Sequence, residues 1–409
     1  MDTISFRLKN NFKITSIANF IPEFSIRSFS DLSQKERILS KDPKNNYLRK
    51  FILHPLVDKE IYCPSVEVYE KANANTGIVE YEMVITFHSL PKFSLGNNFE
   101  EIQISNKNKI IALMAERLQT IGIIVSEESI SQAPVSVIHF CKNIILPENI
   151  ALRSILSDLS HTDMGKAYDT TEDVRIQRDK NNGKVVHLRC GSREWCFYDK
   201  IDDLCQPKGK RADKHRTTYE KELLSTHDFK NLEVFRYEYR LNKSQTIKSE
   251  LHTFLNKSYD EKITVSDLFT EGLWKNILTS AWKRILQRPE NQLALLSYNR
   301  PLDLLLHILR KAKAEGLSAH SQNKALWTYG LAQAIKDSGA KTTKSELNKV
   351  WINKDNRLTN KLGIATELVD DIPVSQGISY ITEQLEKFEF ISLDSLEKVV
   401  HFTDLHCKE

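Results

Sequence analysis

The chain is short of cysteine, has no long apolar run and carries little net charge, and each shortage removes a class of protein. Its six cysteines, Cys63, Cys141, Cys190, Cys196, Cys205 and Cys407, are sparse for 409 residues and include no C-x-x-C pair. That usage argues against a disulfide framework and for reduced thiols in a cytoplasm. No apolar stretch approaches the roughly 18 residues that span a bilayer. Met1 leads into D-T-I-S-F-R-L-K rather than a basic segment followed by an apolar one, so neither membrane insertion nor secretion is expected. The formal net charge is +4, too small to specify a polyanionic partner. There is no internal repeat, and no two of the twelve histidines stand two residues apart.

What is present is an ordinary globular balance, 40% hydrophobic and 27% charged. A chain of this length exceeds what one core normally serves, which implies two domains or one domain with a helical appendage. The basic charge is uneven: Lys208, Lys210, Arg211, Lys214, His215 and Arg216 crowd one glycine-containing loop. Such a loop suits a solvated surface or a contact with a phosphate backbone.

The most informative stretch is V-F-R-Y-E-Y-R-L at Val234 to Leu241. Period-two alternation sets Phe235, Tyr237, Tyr239 and Leu241 on one face and Arg236, Glu238 and Arg240 on the other. One face can build a core and the other must meet ions. Four more strands are expected. Tyr81 to His88 sets Thr86 and His88 on a polar side. Val135 to Cys141 is apolar apart from Ser136 and His139. Lys184 to Cys190 places His187 and Arg189 opposite Val186 and Leu188, and Glu194 to Lys200 places Tyr198 and Lys200 opposite Trp195 and Phe197. The last two are joined by Gly191-Ser192-Arg193 and read as a hairpin.

Two helices intervene, Lys107 to Ile121 ended by Gly122, and Glu148 to Leu159 preceded by Pro147. From about residue 250 the pattern turns helical. A helix capped by Ser266 runs to Leu286 with a broad apolar stripe, Leu302 to Ala314 and Asn323 to Ser338 follow, and Thr343 with Glu346 forms a capping box for a helix through Trp351. The last two could form a DNA-reading unit, but helices joined by a glycine turn are more often plain architecture.

The fold expected is therefore α+β: residues 1–250 form a largely antiparallel sheet with helices on its apolar face, and residues 251–409 form a smaller helical domain. The uncovered face would collect His88, His139, His187, Arg189, Tyr198, Lys200, Arg236, Glu238 and Arg240. A tyrosine is a poor nucleophile while its phenol is protonated. A divalent cation and nearby cationic side chains are what it needs to attack phosphorus. Tyr198, Lys200, His139 and Glu238 have the residue types for that chemistry, with Mg²⁺ or Mn²⁺ as the cation. Each also has a plainer reading: a rim tyrosine, a structural histidine, a glutamate paired with Arg236 or Arg240.

The segments H-S-L-P-K-F-S-L-G-N-N (residues 88–98), V-S-V-I-H-F-C-K-N-I (135–144), C-G-S-R-E-W-C-F-Y-D-K (190–200) and F-R-Y-E-Y-R-L (235–241) follow the opening M-D-T-I-S-F-R-L in that order. Together they resemble the gene II type replication initiator endonuclease of filamentous phages and its rolling-circle plasmid relatives. The resemblance covers the first 250 residues well and, through A-L-W-T-Y-G-L-A-Q-A and K-S-E-L, the remainder loosely. It implies a fold like that of the His-hydrophobic-His endonucleases. It also implies an enzyme that nicks a supercoiled double-stranded origin, holds the 5′ end as a phosphotyrosine, and later rejoins the displaced strand.

Tyr198 would be the nucleophile, assisted by Lys200. Glu238, His139 and His88 would hold the metal, and Arg189, Arg236, Arg240, Lys208, Lys210 and Arg211 would hold DNA. Origin DNA, the displaced single strand, and the host replication helicase and polymerase would be its partners in a bacterial cytoplasm. His139 stands where that family has an aspartate, which removes a negative charge from the site. A non-cleaving origin-binding regulator on the same fold, or a related relaxase or transposase, is the alternative.

Overall fold

A computed structural model describes residues 1–15, 20–25, 49–55, 62–72, 79–164, 185–205, 217–226, 232–314, 316, 319–350, 362–363 and 365–392. Strands β1 (Ile4–Lys9), β2 (Phe20–Ser25), β3 (Arg49–Pro55), β4 (Ser65–Ala72) and β5 (Val79–Phe87) come first. Helices α1 (Leu90–Leu95) and α2 (Lys107–Thr120) lead to β6 (Val135–Ile145) and α3 (Leu152–Ser160). The hairpin of β7 (Val185–Cys190) and β8 (Arg193–Asp199) runs into α4 (Lys200–Cys205), then α5 (Thr218–Thr226) and β9 (Val234–Leu241). These strands make one nine-stranded sheet, order β2-β3-β4-β5-β1-β6-β9-β8-β7, with every pairing antiparallel.

The apolar face follows from alternation. Phe235, Tyr237, Tyr239, Leu241 and Phe197 are fully buried, each fully buried apolar side chain contributing about 1.5–3 kcal/mol. They meet α7 (Leu273–Leu286), which comes after α6 (Ser244–Leu251). Trp195 Nε1 donates to the Ala281 carbonyl at 3.1 Å, and the Phe197 and Trp282 rings stand 6.0 Å apart edge to face. The buried polar tips thus spend their hydrogen bonds on helix carbonyls.

The core is not confined to the first 250 residues. Ile263, Leu268, Trp274 and Ile277 share one apolar cluster with the sheet, as do Ile378, Ile381 and Leu385 of the terminal helix Gln376–Lys387. A second, smaller cluster is mostly helical and includes Leu293, Leu304, Ile308, Leu331, Ile335 and Ala340, joined by Leu368 from a turn. No helix among the described residues is long and apolar enough to cross a membrane.

Three local expectations are corrected. Ser266 begins a single 3-10 turn ending at Phe269, and the long helix starts only at Leu273, because Gly272 adopts a left-handed φ of 73° between them. Thr343 does not open a helix: Ala340–Val350 already follows Gly339, whose φ is 81°, and the Thr343 hydroxyl donates to the Ala334 carbonyl at 3.0 Å. Lys200 is the first residue of α4 rather than the end of a strand.

Candidate active site

On the polar face, register brings side chains from four adjacent strands into rows. His139, Arg240, Glu194 and Arg189 are consecutive partners across β6, β9, β8 and β7. The next row on that face is Cys141, Glu238, Cys196 and His187, and the third is Asn143, Arg236, Tyr198 and Val185. Glu238 therefore has a guanidinium before it and another behind it along its own strand.

It uses both. Glu238 Oε1 accepts from Tyr198 Oη at 2.7 Å and from Arg236 Nε at 2.7 Å; Oε2 accepts from Arg240 Nε at 2.8 Å and Nη2 at 2.6 Å. Burial opposes ionisation of this carboxyl, yet Arg240, Arg236 and the Tyr198 hydrogen bond hold it well below the ordinary carboxylate range. Arg236, 1% exposed, also donates through Nη1 to Asn143 Oδ1 at 3.2 Å and lies 3.1 Å through Nη2 from Asp2 Oδ1.

Tyr198 is half-buried at the end of β8. Burial pushes its phenol well above its ordinary range, Arg236 works in the opposite direction, and the Glu238 carboxylate adds to the rise. Lys200, fully buried, places Nζ 6.0 Å from the Tyr198 ring centre and 3.8 Å from Asp203 Oδ2. Burial, with Arg236 beside it, lowers the Lys200 amine below its ordinary range, so its proton is given up more readily than that of a surface lysine. The Asn98 carboxamide, oriented by its bonding partners, accepts from Lys200 Nζ at 3.2 Å and donates to Asp2 Oδ1 at 3.1 Å and Ser89 Oγ at 3.3 Å.

Tyr198, Lys200, Arg236 and Glu238 are thus brought together, but not on an open surface. The expectation of one exposed polar face is corrected for Arg236, Glu238 and Lys200: opposite charges on neighbouring strands satisfy one another, and that pairing permits burial. Arg236 serves as an internal clamp on Glu238 rather than a surface DNA contact. Arg240 keeps 24% of its side chain exposed, and Arg189 is open to solvent while reaching Glu194 at 3.1 Å. Lys208, Lys210 and Arg211 lie outside the described residues.

His139, Glu238 and His88, expected to hold Mg²⁺ or Mn²⁺, do not converge. His139 faces Asn242, Nε2 to Oδ1 3.3 Å, and burial followed by Arg240 lowers its imidazole below the ordinary value. His88 is exposed, with Nε2 2.8 Å from Ser65 Oγ. It follows β5, three inter-strand spacings from β9, roughly 14 Å across the sheet. Both oxygens of Glu238 are already taken by cations or the phenol. His88 is thus not brought into one donor set with His139 and Glu238, and among the described residues no group of three or more His, Cys, Asp or Glu is placed to hold a metal.

Asp2, Ser89, Asn98, Asn143 and Glu194 are the site residues that motif reasoning missed. Alternation already places Glu194 beside Cys196 and Tyr198. Asp2 and Asn98 carry no local signal, because only the tertiary fold brings the start of β1 and the turn after α1 to β9.

Glu194 makes the row of charges sensitive to acid. Against burial, the hydrogen bond from His187 Nδ1 at 2.7 Å and the charge of Arg240 lower its carboxyl from 4.5 to about 2. A carboxyl depressed on folding stabilises the native state fully above its unfolded value and loses that contribution as pH falls through the folded value. Urea midpoints are expected to drop between pH 4.5 and about 2, and Glu194→Gln is expected to flatten that part of the profile. An unchanged slope in the variant would remove Glu194 from the acid response.

Comparisons of the chain with protein-family models, curated proteins and solved structures returned no match.

Proposed function

We propose that the chain is a DNA strand transferase that nicks a double-stranded replication origin through Tyr198, keeps the 5′ end as a phosphotyrosine, and later rejoins the displaced strand. The supporting observation is the contact of Tyr198 Oη with Glu238 Oε1 at 2.7 Å, inside a cluster that holds Arg236 and Lys200. Supercoiled origin DNA and the displaced strand are its substrates, in a bacterial cytoplasm, with the host helicase and polymerase acting on the exposed 3′ end.

The resting geometry is not activated, since Glu238 is too weak a base while two guanidiniums hold it. A phosphodiester that draws the part-exposed Arg240 onto its own oxygens returns basicity to Glu238 as it supplies the reacting phosphorus. The phenol proton then passes to Glu238 Oε1, the Tyr198 oxygen bonds to phosphorus, and the bond to the 3′ oxygen breaks. That leaving oxygen takes a proton from Lys200 Nζ, and the reverse sequence rejoins the strand. Positioned acid and base groups of this kind each contribute about 10²–10⁴-fold.

One observation favours a second reading, an origin-binding regulator that does not cut: the phenol is held up by burial and its partner carboxylate is saturated. Incubation with a supercoiled origin plasmid, in Mg²⁺, Mn²⁺ or chelator, separates the two. Strand transfer predicts relaxed circles with protein on the 5′ end. Salt-sensitive binding without any nick in all three conditions would select the regulator.

A further inference from the structure

The environment of Tyr198 closes on itself. From Tyr198 Oη the contacts run to Glu238 Oε1, from Glu238 to Arg236 Nε, and from Arg236 Nη2 to Asp2 Oδ1. They return through Asn98, which donates to Asp2 and accepts from Lys200 Nζ, to the amine beside the Tyr198 ring. Five of the six residues in this circuit are buried. Its loosest link is the ion pair of Arg236 Nη2 with Asp2 Oδ1, 3.1 Å long but without hydrogen-bond alignment.

We infer that Asp2 and Asn98 are a positioning pair, which fixes Arg236 and Lys200 around Tyr198 and so sets the phenol against its proton acceptor Glu238. The inference rests on the reading of Tyr198 as the nucleophile. Asp2 holds the Arg236 guanidinium by charge at 3.1 Å, which orients the side chain on Glu238. Asn98 transmits the Asp2 charge to Lys200 and uses one of its ammonium donors. Besides Asn98 and the Tyr198 ring, the charged groups facing Lys200 are Asp203 of its own helix, Arg236 and Glu238 of β9, and Asp2. Asp2 is thus one of three anions that favour the ammonium. Ser89, whose hydroxyl donates at 3.2 Å to the same Asp2 Oδ1, adds a further contact that fixes the carboxylate.

Asp2→Asn and Asn98→Ala test the pair in the full-length chain. Each variant is expected to slow formation of the covalent adduct on a supercoiled origin plasmid by about 10- to 100-fold, the scale of a misplaced reacting group. Affinity for the same plasmid should stay within about twofold, and the double variant should be no slower than the worse single one because the two act as a unit. Adduct formation at the wild-type rate in both variants, or additive losses in the double variant, would overturn the inference.

A second readout does not depend on cleavage. With lysines labelled biosynthetically with ¹³C at Cε and the Lys200 resonance assigned through Lys200→Arg, the Lys200 titration should move to lower pH in Asp2→Asn. An unmoved titration defeats the pair even where no wild-type adduct forms. Absence of the wild-type adduct with a moved titration defeats instead the reading of Tyr198 on which the inference rests.

Discussion

Glu238→Ala is expected to cost about 3–5 kcal/mol of folding stability, the largest loss of any single change on the polar face. The carboxylate accepts hydrogen bonds from Tyr198, Arg236 and Arg240. Without it, Arg236 keeps only Asn143 at 3.2 Å and Asp2 at 3.1 Å, and Arg240 keeps Glu194 at 3.9 Å. Buried positive charge is then uncompensated, which costs more than the lost pairing itself. Chemical denaturation followed by circular dichroism measures the effect. A companion variant, Arg236→Met with Glu238→Leu and Arg240→Met, should recover most of the loss, because apolar residues of similar volume replace a buried ionic group at little cost. A Glu238→Ala protein as stable as wild type would mean that the carboxylate is not the anchor of this face.

Tyr198→Phe is expected to separate binding from chemistry. The ring stays in place and only one of the hydrogen bonds to Glu238 is lost, so stability should fall by about 0.5–3 kcal/mol, the range for neutral and charge-assisted bonds. Affinity for origin DNA should hold within about twofold. Nicking should fall at least about 10⁴-fold, since no other group replaces an oxygen nucleophile. Gel shift and nicking measured on one preparation make the comparison direct. Nicking at more than about a tenth of the wild-type rate would exclude Tyr198 as the attacking group.

Much of the architecture is legible because alternation is a strong signal where one face is wholly apolar. Val234 to Leu241 and the hairpin of β7 and β8 fall within one residue of their expected limits. The early strands are harder. Phe20–Ser25 contains Pro22, which an edge strand tolerates and a sequence pattern discounts. Ser65–Ala72 alternates Val66 and Val68 with Glu67 and Tyr69 but holds few strongly apolar residues.

The site was legible by face and not by depth. Period two assigns Arg236, Glu238, Arg240 and Tyr198 to one side, yet says nothing of whether charges there meet water or one another. His88 shows the same limit, since its face is right while strand order sets it apart from Glu238. Asp2 and Asn98 are legible only once β1 lies between β5 and β6.

The most direct measurement is the identity of the residue that carries DNA. After reaction with the origin plasmid, nuclease trimming and proteolysis, mass spectrometry of the adduct should locate a nucleotide 5′-phosphate on Tyr198 within the segment 194–200. A nucleotide on any other residue, or a nicked plasmid with no protein attached, would contradict the account.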